Sequence, residues 1–276
     1  METRQWRELL IPYQQAVKEI VVKFESIVYE YRRLGMYSPI EFVTGRVKKI
    51  SSILEKTRDK NIQIDSIEDN IEDIAGIRII CQFVEDIDKV VNIIRERNDK
   101  DLKIIKEKDY IKDMKKSGYR SFHIIIRYPV YTALGEKEIK VEIQIRTLAM
   151  NFWSTIEHSL RYKYQGNIPF EISDKLKSAA EAAFLLDKDM SQIRDEIVEA
   201  QNLFQVKSNI VADIINNIQN LYNMGNKEDA IRIKSQFMEL NDEGDLEQLI
   251  KFNKKLDVIV EAYEAQSIQK NYGGTI

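Results

Sequence analysis

The sequence predicts an α+β fold, in which a mixed, mostly antiparallel sheet of about five strands is flanked by helices. Two observations predict this class. Short runs that alternate apolar and polar residues recur between residues 76 and 146, and this alternation is the period of a strand. Heptad patterns of apolar residues lie on both sides of that region and predict long helices near each end of the chain.

The composition is that of a globular protein in a reducing compartment. The chain has 276 residues, of which 43% are hydrophobic and 32% charged, enough for a large apolar core. The single cysteine, Cys81, excludes a disulfide framework and favours a cytoplasmic location. No apolar run approaches the length of a membrane span, so we expect no membrane partner. A net charge of -3 argues against a general nucleic-acid coat, which needs a basic surplus.

Residues 1–35 form the first predicted element, a helix that carries an unbroken heptad seam and ends at Gly35. A second seam begins near Phe170 and continues to residue 204. The two seams can pack within one chain, or they can form the interface of an oligomer. We favour an oligomer, because small alanines recur in the second seam and allow close approach of helices.

Residues 36–168 are predicted to form the core that carries chemistry. A helix is expected from Ser38 to about Lys60, followed by alternating strands and helices. The turn signal Leu134-Gly135-Glu136 predicts that the last two strands form a hairpin. The expected strands are residues 76–83, 102–107, 122–130 and 139–146, and the expected helices are residues 86–98 and 147–164.

Residues 205–276 are predicted to be a helical extension of unknown role. Its helical stretches are interrupted at Gly225 and Gly244, which resembles a helical hairpin. No chemical motif is recognisable in it.

One strand carries four polar groups on one face. In the run from Ile139 to Arg146, apolar residues alternate with Lys140, Glu142, Gln144 and Arg146. A solvated face of an antiparallel sheet gives the same alternation, so this run alone supports either interpretation equally. The neighbouring polar clusters favour a nucleotide site.

Two of these clusters precede the central strand. Lys48, Ser52 and Lys56 are four residues apart, which suits a row of phosphate contacts on one helix face, although a solvated lysine face is the alternative. Asp73 lies just before a strand in which Arg78 points away from the apolar side. Helix capping or a surface ion pair is the alternative for Asp73.

A third cluster spans residues 108–123, where lysines accompany a glycine and a tyrosine. Gly118 and Tyr119 suit a phosphate-binding loop with a ring on which a base can stack. A charged surface loop explains the lysines equally well but the Gly-Tyr-Arg step less well. His158 lies on a later helix, where a lone histidine is more often structural than catalytic.

Six motifs in register resemble a known family. The chain is similar to the RelQ-type small alarmone synthetases, stand-alone relatives of the long Rel/Spo enzymes within the RelA/SpoT homologue superfamily, and the resemblance covers roughly residues 5–204. It implies a nucleotidyltransferase-like synthetase fold. The motifs are Gly-Arg-Val-Lys, Asp-Ile-Ala-Gly-Ile-Arg, Lys-Asp-Tyr-Ile-Lys, Ser-Gly-Tyr-Arg-Ser-Phe-His, Glu-Ile-Gln-Ile-Arg-Thr and Asn-Phe-Trp-Ser-Thr-Ile-Glu-His.

The resemblance implies an activity in the stringent response. Family members transfer the β,γ-pyrophosphate of ATP to the 3′-hydroxyl of GDP or GTP, and in some cases GMP, and release AMP. Because no hydrolase domain fits in this length, we expect synthesis without hydrolysis. The competing interpretations are a toxin-like relative that makes an adenosine alarmone or pyrophosphorylates tRNA, and a catalytically idle nucleotide- or RNA-binding regulator on the same fold.

The resemblance also implies roles for individual residues, with Mg²⁺ as the cofactor. The catalytic set is Glu142, Asp73, Arg46 and Lys48, of which Asp73 and Glu142 bind the metal. The ATP-binding set is Arg46, Lys48, Ser52, Lys56, Arg78 and Lys112. The GDP/GTP-binding set is Lys108, Lys115, Tyr119, His123, Gln144 and Arg146.

Further expectations concern assembly and regulation. The resemblance implies a homotetramer held by the terminal helices, a second activity in binding single-stranded RNA, and an alarmone cleft between subunits lined by Phe42, Thr44 and Asn151. Val21 and Glu25 stand where the family has basic residues on the first helix, which puts the alarmone cleft in doubt.

Overall fold

A five-stranded mixed sheet forms the centre of the fold, which confirms the predicted class. The computed structural model describes residues 3–133, 135–163 and 169–272. The strands lie in the order β1-β2-β5-β4-β3, and only the pair β2 and β5 is parallel. The strands are β1 (Phe42–Val47), β2 (Ala75–Cys81), β3 (Lys103–Asp109), β4 (Phe122–Thr132) and β5 (Gly135–Thr147). The predicted hairpin of β4 and β5 is confirmed, although Leu134 in its turn lies outside the described residues.

Helices account for most of the remaining described chain. They are α1 (Thr3–Arg33), α2 (Ile50–Asp59), α3 (Ile67–Asn70), α4 (Val84–Arg95), α5 (Leu148–Lys163), α6 (Phe170–Asn223), α7 (Lys227–Glu243) and α8 (Leu246–Tyr272), with a 3₁₀ turn at Ile64–Ser66. Within the described ranges, none of these helices is both long and apolar enough to cross a membrane. The chain divides into two compact units, Met1–Gln192 and Ile193–Ile276.

The expected helix from Ser38 to Lys60 is wrong in its first half, because residues 42–47 form the edge strand β1. Gly45 explains the difference. A Cβ at this position would lie 2.5 Å from Val17 Cγ1 and 2.9 Å from Val21 Cγ2, so β1 can lie against α1 only with a glycine here. The apolar Val21 thus packs beside Gly45. Lys48 precedes α2, so it does not share a helix with the next two residues of its predicted row.

The seam of α1 packs on the sheet of its own chain. Tyr13, Ile20 and Phe24 are buried in the same core as Ile77 of β2 and Ile143 of β5. The first seam therefore packs within its own chain, whereas we favoured an oligomer interface.

In the first unit, apolar seam residues of α6 are exposed, unlike those of α1. Ala180 and Asp187 are buried on one side of the helix, whereas the seam residues Leu186 and Met190 are exposed. The helix also continues past residue 204, where we placed the start of the extension. The predicted domain limits stay predictions.

The second unit has a small core of its own. Gly225 and Gly244 both have positive φ angles and lie between helices, as predicted. The expected hairpin of two helices is incomplete, because the end of α6 supplies a third helix to this core. The buried residues are Ile214, Ile218 and Leu221 from α6, Ala230, Ile233 and Phe237 from α7, and Leu249, Leu256 and Val260 from α8.

A buried carboxylate joins α6 to the end of β5. Thr147 donates a 2.6 Å hydrogen bond to Asp187 Oδ2, and the Thr147 hydroxyl accepts from the Met150 amide at 3.1 Å, which caps α5. Burial raises the pKa of Asp187 to about 6, with the Thr147 hydrogen bond lowering it and the charge of Glu85 raising it. The ionised form is therefore disfavoured in the folded state.

This carboxylate predicts a pH dependence of stability. Because its pKa is raised on folding, its favourable contribution is complete below its unfolded pKa and is lost as the pH rises through about 6. Asp187→Asn, which keeps a hydrogen-bonding group without the charge, should raise the free energy of unfolding at pH 7.5 by up to about 3 kcal/mol. Urea unfolding at pH 4 and pH 7.5 measures this. A variant that is equally destabilised at both pH values would contradict it.

Candidate active site

One row of side chains crosses all five strands of the sheet. The cross-strand pairs are Thr44 with Arg78, Arg78 with Gln144, Gln144 with His123, and His123 with Lys108. Paired positions in a sheet present their side chains to the same face. The register therefore brings together one residue from every strand, and three of the five carry a cation or an imidazole.

The polar face of β5 joins this row, as the alternation at residues 139–146 predicts. Gln144 Nε2 donates to Glu142 Oε2 at 2.8 Å, and Arg146 Nη2 donates to Gln144 Oε1. Ile143 and Ile145, on the other face, are completely buried in the core. The strand is thus apolar on one side and a hydrogen-bonded polar ladder on the other.

Asp73, two residues before β2, forms ion pairs with two lysines. Lys48 Nζ lies 2.7 Å from Asp73 Oδ2, and Lys56 Nζ lies 2.8 Å from Asp73 Oδ1. Burial opposes ionisation of this carboxyl, but the hydrogen bonds and charges of the two lysines outweigh it and lower the pKa of Asp73. Of the two alternatives for Asp73, the contacts are those of an ion pair and not of a helix cap, although the pair is partly buried and involves two lysines.

A chain of hydrogen bonds connects Glu142 to the tyrosine loop, by which we mean residues 115–121. His123 Nδ1 lies 2.9 Å from Glu142 Oε1, and His123 Nε2 lies 2.7 Å from the hydroxyl of Tyr119. Burial opposes ionisation of Glu142, yet the bond to His123 lowers its pKa, and the charge of Asp73 has a smaller, raising effect. An ionised carboxylate only accepts, so Nδ1 donates to it, and in the neutral ring Nε2 accepts from Tyr119.

Arg146 is the largest fully buried side chain among the described residues, with 1% of its surface exposed. It donates to Ser154 Oγ at 2.8 Å and to the Tyr119 hydroxyl at 3.1 Å. Burial lowers the pKa of Arg146, while Tyr119 and Glu142 raise it. Its Nε has no hydrogen-bond partner in the described residues, so the buried cation retains a free donor beside the polar ladder.

Arg46 and Arg78 lie at the other end of the row. Burial and the charges of Arg146 and Arg46 lower the pKa of Arg78. A Cβ at Gly76 would lie 3.8 Å from Arg46 Cγ, so the stem of Arg46 crosses over the strand at this glycine. Three guanidinium groups therefore repel one another here, which favours an anionic ligand.

Tyr110 and Glu72 belong to this region, although no role was predicted for them. Lys115 Nζ lies 4.5 Å from the ring centroid of Tyr110 and 4.7 Å from that of Tyr119, so the ammonium is held between two aromatic rings. Lys108 Nζ donates to Glu72 Oε2 at 3.1 Å. Tyr110 was visible in the Lys-Asp-Tyr motif, but only the fold brings it next to Tyr119.

The other residues predicted to belong to the site lie outside this row or are exposed. Lys112 is a surface residue with its side chain 84% exposed, and its ammonium lies 3.5 Å from Asp109. Ser52 lies on α2 and is half-buried. Phe42 and Thr44 are exposed on β1, Asn151 is half-buried on α5, and His158 is exposed on the same helix.

The site offers carboxylates for a metal without forming a complete metal cage. Among the described residues, no group of three or more His, Cys, Asp or Glu side chains is placed to hold an ion. Mg²⁺ is commonly held by one or two carboxylates together with substrate phosphates. Asp73 and Glu142 fit that donor set, because each is ionised and lies beside cations suited to phosphate.

Comparisons with known proteins show the family of the chain. Residues 45–167 match the region found in RelA / SpoT proteins. The chain is 54% identical over 209 residues to GTP pyrophosphokinase YjbM of Bacillus subtilis (strain 168), which covers 75% of this chain and 97% of the relative. The small alarmone synthetase 1 of Bacillus subtilis bound to its product pppGpp is similar in structure, with a TM-score of 0.67, 53% identity, and coverage of 70% of this chain and 98% of that one.

A structure of that synthetase bound to AMPCPP is also similar, with a TM-score of 0.62 and 49% identity over 71% of this chain and 99% of that one.

Proposed function

The chain belongs to the RelA/SpoT family, and we propose that it transfers the β,γ-pyrophosphate of ATP to the 3′-hydroxyl of GDP or GTP through the row of side chains on its sheet. It is a GTP pyrophosphokinase that makes ppGpp and pppGpp, as its similarity to small alarmone synthetases along most of its length indicates. The proposal concerns the residues that perform the reaction.

The single observation that carries the proposal is the placement of two ionised carboxylates between two sets of cations. Asp73 is bonded to Lys48 and Lys56, and Glu142 is bonded to His123 beside Arg146 and Tyr119. The reaction needs one binding place for the nucleotide that donates the pyrophosphate and another for the nucleotide that accepts it. The geometry thus supports ATP at the Asp73 end and the guanosine acceptor at the Tyr119 end.

Lys48 and Lys56 bind the ATP phosphates in this proposal, with Ser52 between them in the first turn of α2. Arg46 and Arg78 hold the adenine, because guanidinium planes stack well on aromatic rings. The lowered pKa of Arg78 reflects burial and nearby guanidinium charge, which bound phosphates would offset. Lys112 would have to turn inward to take part, since its side chain is 84% exposed.

The acceptor lies on the ring of Tyr119, with its phosphates near Lys108 and Lys115. Glu142 accepts the proton of the 3′-hydroxyl as the oxygen attacks the β-phosphorus, and the bond from that phosphorus to the α-phosphate oxygen breaks to release AMP. His123 orients Glu142 and Tyr119 together, because its two nitrogens bond one to each. Gln144 and Arg146 complete the acceptor side. Positioning and charge neutralisation supply most of the catalysis in such transfers.

Mg²⁺ is the cofactor that this donor set fits. When bound, it would neutralise charge that develops on the transferred phosphates. Asp73 and Glu142 would hold it. Lys48 and Lys56 can release Asp73 for this purpose, because the phosphates of ATP offer them alternative acceptors.

Incubation of the full chain with Mg²⁺, GDP and ATP labelled in turn at the α- and γ-phosphates tests the function. The γ-label should appear in a guanosine product and the α-label in AMP. The same assay with GMP and GTP measures the acceptor preference. Release of labelled inorganic phosphate without a pyrophosphorylated guanosine product, from any of the three acceptors, would contradict the proposal.

The alternative of a catalytically idle regulator is not favoured by the comparisons. The relative that matches 75% of the chain is named a pyrophosphokinase, and Asp73 and Glu142 are both in place. Regulation by single-stranded RNA and an alarmone cleft at Phe42, Thr44 and Asn151 stay proposals. Nucleotide substrates and the single unpaired Cys81 support a cytoplasmic location.

We also propose that the chain forms a homo-oligomer, with a homotetramer as the expected state, through the exposed seam of α6. Leu186 and Met190 expose about half of their surface, although both occupy heptad positions. Apolar heptad residues left exposed on a helix are typical of a surface that another helix covers.

Leu186→Glu should dissociate this assembly, because it places a charge in the apolar seam. Light scattering coupled to gel filtration measures the mass. Lys188→Glu adds the same group on a different face of α6 and should leave the mass unchanged. If the wild-type chain is a monomer at micromolar concentration, or if both variants behave alike, the seam is not the interface.

A further inference from the structure

The tyrosine loop is packed directly against α6. Gly118 has a φ of +87°, and a Cβ there would lie 2.6 Å from the Cβ of Ala180. The loop is itself a tight turn, because Gly118 N donates to the Lys115 carbonyl at 2.8 Å and Lys115 N donates to the Tyr119 carbonyl at 3.2 Å. The backbone at Gly118 therefore lies directly against α6, with no room for a side chain between them.

Arg120 fastens this contact. It is buried, and its Nη2 donates to Glu181 Oε2 at 2.7 Å while its Nη1 donates to the Ala180 carbonyl at 3.5 Å. Its guanidinium carbon lies 4.2 Å from the ring centroid of Phe184. A buried cation with a charged partner is costly to leave unpaired, so the loop and the helix are held together at this point.

Tyr119 lies between the two residues that touch α6. Its hydroxyl is fixed by His123 and Arg146 on the acceptor side of the site. The Lys115 ammonium and the edges of Tyr110 and His123 contact the ring on the side of the site. On the side of α6, the plane of the ring depends on the backbone at Gly118 and Arg120. A ring that stacks on a base must keep a fixed orientation, because a misplaced binding group loses much of its contribution to binding or catalysis.

We propose that Arg120 and Glu181 are positioning residues, which act through the tyrosine loop to set the plane of the Tyr119 ring for the guanine of the acceptor. This inference rests on the proposed role of Tyr119. Apart from the exposed Lys112, the residues assigned to ATP lie on or beside β1, α2 and β2, away from the tyrosine loop, so we expect the effect to be specific to the acceptor.

The rest of the α6 contact is independent of this ion pair. Thr147 bonds to Asp187 at 2.6 Å, Ser191 donates to Glu85 at 3.0 Å, and Trp153 donates to the Leu176 carbonyl at 2.8 Å. These bonds keep the helix in place when Glu181 is changed. Glu181 is also 51% exposed, so its replacement opens no cavity.

Calorimetric titration of the full chain with GDP, and separately with AMPCPP, in the presence of Mg²⁺ tests the inference. Glu181→Ala should weaken GDP binding about tenfold, because stacking on a base contributes about this much to affinity. AMPCPP affinity should stay within about twofold. Glu181→Gln, which retains an acceptor for Arg120, should weaken GDP binding less than Glu181→Ala does.

The control is Asp174→Asn, which neutralises an exposed acid on the same helix and should change neither affinity. In turnover, Glu181→Ala should raise the KM for GDP more than it lowers kcat, whereas a merely destabilised chain would lose kcat with both KM values unchanged. Unchanged GDP binding, or equal losses for GDP and AMPCPP, would overturn the inference. Failure of the wild-type chain to transfer pyrophosphate would contradict the proposed function, and the GDP titration would still decide the role of Glu181.

Discussion

Glu142→Gln is expected to lower kcat by about 10²–10⁴-fold, the usual contribution of a positioned general base. The amide keeps the size of the side chain and can still accept the hydrogen bond from His123 Nδ1, which is 2.9 Å long in the wild type. It cannot take the proton of the acceptor hydroxyl. The KM values for ATP and GDP should therefore change much less than kcat.

Steady-state kinetics with saturating Mg²⁺ measures this effect. Glu138→Gln is the matched control, because Glu138 is an exposed acid on the same strand and lies four residues from Glu142. The control should retain wild-type turnover. A Glu142→Gln protein that stays folded and turns over at a near-normal rate would show that this carboxylate is not the base.

Asp73→Asn is expected to cause the second large loss, about 10²–10³-fold in kcat, since a catalytic metal supplies several kcal/mol of charge stabilisation. The amide is a poor ligand for Mg²⁺, a hard cation that prefers carboxylate oxygens. Lys48 and Lys56 lose their shared partner but can turn to the phosphates. ATP binding should therefore fall far less than turnover.

A titration of activity against Mg²⁺ concentration separates these effects. The variant should need more Mg²⁺ for half-maximal activity, whereas Asp59→Asn, an exposed acid at the end of α2, should match the wild type. If the Asp73→Asn protein had an unchanged Mg²⁺ requirement but a raised KM for ATP, Asp73 would only position the two lysines and would not bind the metal.

Strands could be predicted from the sequence where apolar and polar residues alternate strictly, and their polar faces then indicated the site. In β5 the buried Val141 and Ile143 set the register, so the shared face of Glu142, Gln144 and Arg146 followed from period two alone. The same logic failed for β1. Its short run around Gly45 has only Val43 buried, and the need for a glycine there depends on α1, which is distant in sequence.

Side-chain partners were less predictable than strands, because they depend on which strands become neighbours. The parallel pairing of β2 with β5 places Arg78 beside Gln144, and nothing local in either strand specifies it. The heptad seams show a similar limit. The pattern in α1 and α6 is alike, yet Ile20 is buried and Leu186 is exposed, because a seam shows that a helix has an apolar side but not what covers it.

A crystal structure of the full chain with AMPCPP, GDP and Mg²⁺ tests most directly the claim that both nucleotides meet on this row. We predict a metal about 2.0–2.1 Å from a carboxylate oxygen of Asp73, the usual distance for Mg²⁺. The triphosphate should lie along Lys48 and Lys56, the guanine on Tyr119, and the acceptor 3′-hydroxyl within hydrogen-bonding distance of Glu142. Nucleotides bound away from β5, or a metal without Asp73 among its ligands, would contradict the claim.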